Sequence, residues 1–159
     1  MNVGVTNEKD GGDAAKDTVA RLADRAEITD LLSRHGRWLD DKRFDDVRSV
    51  FTANAVVVVG SGEVQGADRV AELAARSHGP FARTHHLTTN PLVEVDGDRA
   101  VLGAQQIAVF CREGEAPEFT VGEEYRMEAV RTPEGWRLSR VEGDRLWRLD
   151  HAPGGEGQR

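Results

Sequence analysis

Four side chains in this 159-residue sequence stand out for what they could do together: His35, Asp40, His85 and His86. An imidazole titrates near neutral pH, so one histidine can take a proton from a substrate and return it. A carboxylate beside it fixes the ring tautomer and stabilises the cation formed on proton abstraction. Asp40 with His86 would form such a pair. Acid–base catalysis by a positioned group is worth roughly 10²–10⁴-fold. A plainer arrangement uses the same residues: Asp40 ends its helix, and His86 is a hydrogen-bonded histidine of the core.

The elements that must position these groups follow from hydrophobic periodicity. Ile28, Leu31, Leu32, His35, Trp38 and Leu39 recur at helical spacing and form one stripe. Val19, Leu22 and Ala23 suggest a separate lead-in helix, with Asp24 as N-cap of the next and Glu27 completing a capping box. A shorter helix is expected at Phe44, Val47, Val50 and Phe51, a strand over 56–59, a turn at Gly60-Ser61-Gly62 and a helix over 67–76. Long strands are expected over 84–95, 99–112, 119–131 and 136–150, with a hairpin at Asp96-Gly97-Asp98. Helices first and strands later predict an α+β fold, the helices covering one face of a curved sheet.

Two geometric tests bear on the candidate pair. At 100° per residue, His35 and Asp40 lie about 140° apart around a helix. They share a pocket only if the helix ends or bends near Leu39. Strand alternation sends His85 and His86 to opposite faces. Parity groups His85 with Leu87, Val93 and Val95, and His86 with Thr84, Thr88 and Asn90. On that pattern alone, His85 is the residue on the apolar face.

The composition narrows the function. A formal net charge of −7 argues against a surface that tracks phosphates. The single cysteine, Cys111, supplies neither a disulfide framework nor a thiolate zinc cage, and no neighbour in sequence activates it. No apolar run reaches the length of a membrane span, and the N-terminus lacks a secretion-signal layout. A soluble cytoplasmic protein is expected, with polar tails over 1–17 and 152–159 around a single domain over 18–151. Gly60-Ser61-Gly62 lacks the third glycine of a dinucleotide loop, and Asp96-Gly97-Asp98 lacks the other ligands of a calcium loop. Neither a metal nor a cofactor is expected.

Certain strings resemble the SnoaL-like branch of the nuclear-transport-factor-2-like superfamily. They are Ala26-Glu27-Ile28-Thr29-Asp30-Leu31-Leu32, Leu39-Asp40-Asp41-Lys42-Arg43-Phe44-Asp45-Asp46, Arg83-Thr84-His85-His86-Leu87 and Val95-Asp96-Gly97-Asp98-Arg99-Ala100, together with Phe51, Gly66 and Asn90. The resemblance covers roughly residues 20 to 150 and implies a cone-shaped mixed or antiparallel sheet, the cystatin-like α+β barrel. Within the superfamily the chain looks most similar to the scytalone-dehydratase and bile-acid-dehydratase group. That group sets a helix-end aspartate and a strand histidine into one cavity, which implies Asp40 and His86 here, with His86 rather than His85 facing inward. His35 stands where the group has a tyrosine, and Gln105 where scytalone dehydratase has a second histidine. Ketosteroid isomerase, a more distant relative, would carry its base near Val58 to Ser61, where no carboxylate occurs.

These readings together set the expected site. His86, Asp40 and His35 carry the chemistry. Trp38, His85, Asn90, Gln105, Tyr125 and Trp147 contact the substrate. The expected reaction is a cofactor-independent dehydration of a small polycyclic or polyketide-like metabolite. A cyclase or isomerase using the same base is the near alternative, and a non-catalytic binding or assembly module the distant one. By resemblance, a homodimer formed through the outer face of the sheet is also expected.

Overall fold

The long helical stripe and the strand alternation resolve into one curved sheet with a helix laid across its inner face. The computed structural model describes residues 9–113 and 116–151. Helix α1 spans Lys9–Asp40 and is followed by a 3-10 helix over Phe44–Ser49. Strands β1 (Phe51–Val59) and β2 (Gly62–Gln65) lead into helix α2 (Ala67–His78). A meander of β3 (Arg83–Asp96), β4 (Arg99–Cys111), β5 (Phe119–Thr132) and β6 (Gly135–Asp150) completes the chain.

The six strands form one open sheet in the order β2-β1-β6-β5-β4-β3. Every pair is antiparallel except β1 with β6. That one parallel pair makes the sheet mixed, because the chain enters β1 early and returns to its side only after the whole meander. The apolar stripe of α1 does what its spacing implies: Ile28, Leu31, Leu32, Trp38 and Leu39 are all buried. They pack with Phe51, Met127, Trp136 and Leu138 in the main core. No helix among the described residues is long and apolar enough to cross a membrane.

Several local expectations change. Helix α1 is unbroken through Asp24, so Asp24 and Glu27 are not a capping box. Both carboxylates instead reach across to the β5–β6 turn. Asp24 accepts hydrogen bonds from Arg131 (2.8 Å) and Trp136 Nε1 (3.2 Å), and Glu27 accepts from the Trp136 backbone N–H (2.9 Å). Mid-helix backbone amides already have partners, so these acids were free to moor the helix rather than start it. Residues 9–17, expected as tail, continue α1 as helix; residues 1–8 and 152–159 lie outside the described residues. Phe51 opens β1 instead of closing a helix, and the short strand β2 was not anticipated.

A bulge in β3 has the largest consequence. Thr89 pairs with Gln105 and Leu92 with Gly103, so β3 carries one more residue than β4 across this step. Asn90 takes up the extra residue with a left-handed φ of 52°. Facing therefore inverts there: Thr84, His86 and Thr88 point inward before the bulge, and Val93 and Val95 after it. A single parity rule along β3 could not hold.

Candidate functional site

Helix α1 closes immediately after Asp40. The Arg43 N–H bonds the Trp38 carbonyl (3.2 Å) and the Lys42 N–H the Leu39 carbonyl (3.3 Å), while Lys42 adopts a left-handed φ of 56°. This is a Schellman closure with lysine in the position that favours glycine. It leaves Asp40 in the last turn, where the helix dipole disfavours a carboxylate. Other groups must stabilise it.

Those groups come from β3. His86 Nδ1 lies 2.5 Å from Asp40 Oδ1, the His86 backbone N–H donates to Oδ2 (3.0 Å), and Thr84 Oγ1 donates to Oδ1 (2.9 Å). Lys42 Nζ donates in turn to Thr84 Oγ1 (2.8 Å). Burial alone would raise the Asp40 pKa, but the hydrogen bonds from His86 and Thr84 outweigh it and hold the carboxyl below its ordinary value. Burial lowers the Lys42 pKa, an effect the Asp40 charge partly offsets. With Asp40 ionised, the shared proton sits on His86 Nδ1, which leaves Nε2 as the basic nitrogen.

The His86 side chain is only 2% exposed and forms part of the wall of a largely apolar cavity of about 270 Å³. The cavity lies between the end of α1, helix α2 and the inner face of the sheet. His35, Trp38, His78, Phe110 and Tyr125 also line it. Asp40 does not. It lines a separate polar groove between α1 and β3, and His86 borders both spaces. The angular offset of about 140° between His35 and Asp40 is thus kept: His35 enters the cavity, and Asp40 supports the imidazole from behind.

Among the described residues, two nitrogens at this cavity have no partner. His35 Nδ1 and Trp38 Nε1 are buried without a hydrogen bond. Burial pushes the His35 pKa down to about 3, helped by the nearby His86 and His78, so the ring is neutral at physiological pH. Opposite, the inner face carries a polar chain. Thr88 Oγ1 donates to Gln106 Oε1 (3.1 Å), Gln106 Nε2 donates to Glu123 (3.0 Å) and Tyr125 Oη (3.2 Å), and Tyr125 Oη donates to Glu123 (3.2 Å). Burial raises the Tyr125 pKa, so the phenol remains a donor.

Residues 20–142 match the family model of the SnoaL-like domain. This chain belongs to the SnoaL-like family. An uncharacterized protein of Mycobacterium tuberculosis is 32% identical over 77% of this chain and 86% of its own length. The crystal structure of the Kfla4162 protein from Kribbella flavida superposes with a TM-score of 0.75 at 30% identity, covering 81% of this chain and 95% of that one. Fold likeness extends further, to a Novosphingobium aromaticivorans protein named for scytalone dehydratase (TM-score 0.76, 17% identity, 86% and 93% covered). A hexachlorocyclohexane dehydrochlorinase of Novosphingobium barchaimii is similar as well (TM-score 0.75, 22% identity, 89% and 99% covered).

In this SnoaL-like domain His86, His35, Trp38 and Tyr125 gather at one cavity, with Asp40 behind His86. Four other expected residues are elsewhere. His85 is exposed on the outer face, bordering the polar groove. Gln105 also points outward, where its side chain accepts a hydrogen bond from Asn90 in the bulge (2.8 Å). Trp147 lies on the outer face as well, its indole so close to Gly122 that a Cβ there would sit 2.1 Å from the ring. The even positions of β4, from Ala100 to Phe110, face inward, so Gln106 enters the interior and Gln105 cannot.

Sequence reasoning also missed His78. Ending the helix at Arg76 placed His78 in a loop. The helix runs two residues further, and Val70, Ala74 and His78 then recur at i, i+4 and i+8 along the cavity. That spacing was readable.

Proposed function

We propose that this protein is a cofactor-independent lyase that removes water from a small cyclic β-hydroxy carbonyl compound. The observation that carries the reading is the 2.5 Å contact between Asp40 and His86 Nδ1 at the wall of an apolar cavity. His86 Nε2 takes a proton from the carbon next to the carbonyl, and Asp40 stabilises the imidazolium formed. The electrons of that C–H bond pass into the carbonyl system as an enolate. They then form the carbon–carbon double bond as the β C–O bond breaks with its pair on oxygen. The imidazolium returns its proton to the departing hydroxyl, and water leaves. His35 and Trp38, each with an unpartnered nitrogen, border the position of the carbonyl oxygen, where a donor stabilises developing charge.

The volume bounds the substrate. A dry apolar cavity of about 150 Å³ accepts benzene, so about 270 Å³ suits one or two rings with their oxygen substituents. A direct test uses 3-hydroxy-1-tetralone, a two-ring β-hydroxy ketone whose dehydration gives 1-naphthol. The account expects protein-dependent naphthol formation with saturation kinetics. No acceleration over buffer for this compound or its one-ring analogue, 3-hydroxycyclohexanone, would contradict it.

The same proposal includes a cytoplasmic homodimer. Leu87, Ile107, Gly122 and Trp147 lie in one register row across the outer face, and Leu87, Ile107 and Trp147 are 42–47% exposed. An exposed apolar row on a sheet is the kind of surface that a second copy covers. Light scattering should give twice the chain mass, and Ile107→Glu should shift it to the monomer.

A further inference from the structure

His78 is the one cavity imidazole not used above. Its ring centroid lies 5.2 Å from that of His86 and 5.6 Å from that of Phe110. The last turn of α2 holds it: His78 Nδ1 is 2.8 Å from Ser77 Oγ. Ser77 Oγ has one proton, and it lies 2.9 Å from the Leu73 carbonyl, the ordinary back-bond of a helical serine. With that proton given to Leu73, Ser77 Oγ accepts from His78, so Nδ1 carries the hydrogen. His78 Nε2 is then a lone-pair acceptor. Burial, with His86 and Lys42 nearby, pushes the His78 pKa down to about 4, so the ring stays neutral at physiological pH. A hydrogen bond from the ring to the Ala74 carbonyl, and then the charge of Asp40, oppose that shift.

From this geometry we infer that His78 is the hydroxyl reader of the site: its Nε2 accepts a hydrogen bond from the substrate's departing O–H and turns that oxygen's lone pair toward His86. The inference rests on the dehydratase reading and adds to it the group that selects a hydroxyl as leaving group. The two imidazoles divide the work. His86, backed by a carboxylate, carries the proton. His78 has no carboxylate and stays neutral, so it can orient the hydroxyl without competing for that proton. A site that reads a hydroxyl by a buried acceptor discriminates strongly against an analogue lacking the proton, because the acceptor is then left unpaired.

The test pairs two probes with nearly equal leaving-group basicity, 3-hydroxy-1-tetralone and 3-methoxy-1-tetralone. The wild-type protein should prefer the hydroxy compound in kcat/KM by at least about tenfold. His78→Phe keeps an aromatic ring and should bring the ratio close to one, whereas His78→Gln restores an acceptor and should recover most of it. An unchanged ratio in His78→Phe, with turnover retained, overturns the role of His78 and leaves the dehydratase reading standing. A second readout needs no turnover. In ¹⁵N-histidine-labelled protein, His78 should show the Nδ1–H tautomer, and its Nε2 resonance should move on addition of 3-hydroxy-1-tetralone but not of the methoxy compound. That shift without any naphthol formation would retain His78 as a hydroxyl acceptor while removing the lyase. A His78 ring carrying its proton on Nε2, or one insensitive to both probes, would refute the inference.

Discussion

Two walls of one cavity treat their imidazoles in opposite ways. At the α1–β3 wall, His86 has a carboxylate at 2.5 Å, and that carboxylate is steadied by Thr84 and, through it, by Lys42. Deeper in, His35 packs against the rings of Trp38, Phe51 and Tyr125, 5.7 to 6.3 Å away, and its Nδ1 has no partner among the described residues. The first wall is built to accept a proton and the second to exclude one. That difference separates proton transfer from hydrogen bonding to the carbonyl oxygen, with no change of residue type. In an interior of low dielectric, a neighbouring carboxylate decides whether a histidine can charge at all.

The largest expected break in this comparison comes from the charged wall. His86→Ala and Asp40→Asn should each lower turnover of 3-hydroxy-1-tetralone by at least about a hundredfold. Far-ultraviolet circular dichroism and the thermal midpoint check that the fold survives. Equal turnover in either variant would mean that the pair is structural.

The neutral wall is tested through stability. A folded-state His35 pKa of about 3, against 6.5 for the free side chain, means that the unfolded chain binds the proton first as pH falls. Stability contributed by keeping His35 neutral is therefore full above about pH 6.5. It declines toward pH 3 by about 1.4 kcal/mol per unit. Urea unfolding between pH 7 and pH 5 should show a shallower pH dependence in His35→Gln than in the wild type. Parallel curves would show that His35 is not the buried neutral group described.

A smaller effect is expected at the support of the pair. Thr84→Val removes one donor to Asp40, worth about 1 kcal/mol, and should reduce turnover about fivefold. The smallest effect sharpens the contrast between the two faces of the sheet. His85→Ala and Gln105→Ala alter outward side chains and should each change turnover less than about twofold. A loss comparable to that of His86→Ala would mean that the outer face takes part.

The sequence made the helical stripe, the hairpins and the order of elements legible, because each rests on local periodicity or on a local turn signal. The pair Asp40–His86 was readable only through the family resemblance. Alternation alone pointed to His85, since Val93 and Val95 share its parity, and the bulge at Asn90 that cancels this rule leaves no signal stronger than one asparagine before a proline. Gln105 was named from the resemblance to scytalone dehydratase, and strand β4 itself offered no correction. Val101, Ile107 and Val109 make the outward positions of β4 nearly as apolar as the inward ones, so composition did not distinguish the two faces. An outer face that is itself apolar hides the direction of the core.

Proton exchange measures the base without requiring any leaving group. In D₂O, 1-tetralone carries exchangeable hydrogens next to its carbonyl, and proton NMR follows their replacement. The account predicts that the wild-type protein accelerates exchange at C2 and that His86→Ala reduces the acceleration at least about a hundredfold. Exchange no faster than buffer, or equally fast with His86 removed, would leave the cavity without the base on which the whole reading depends.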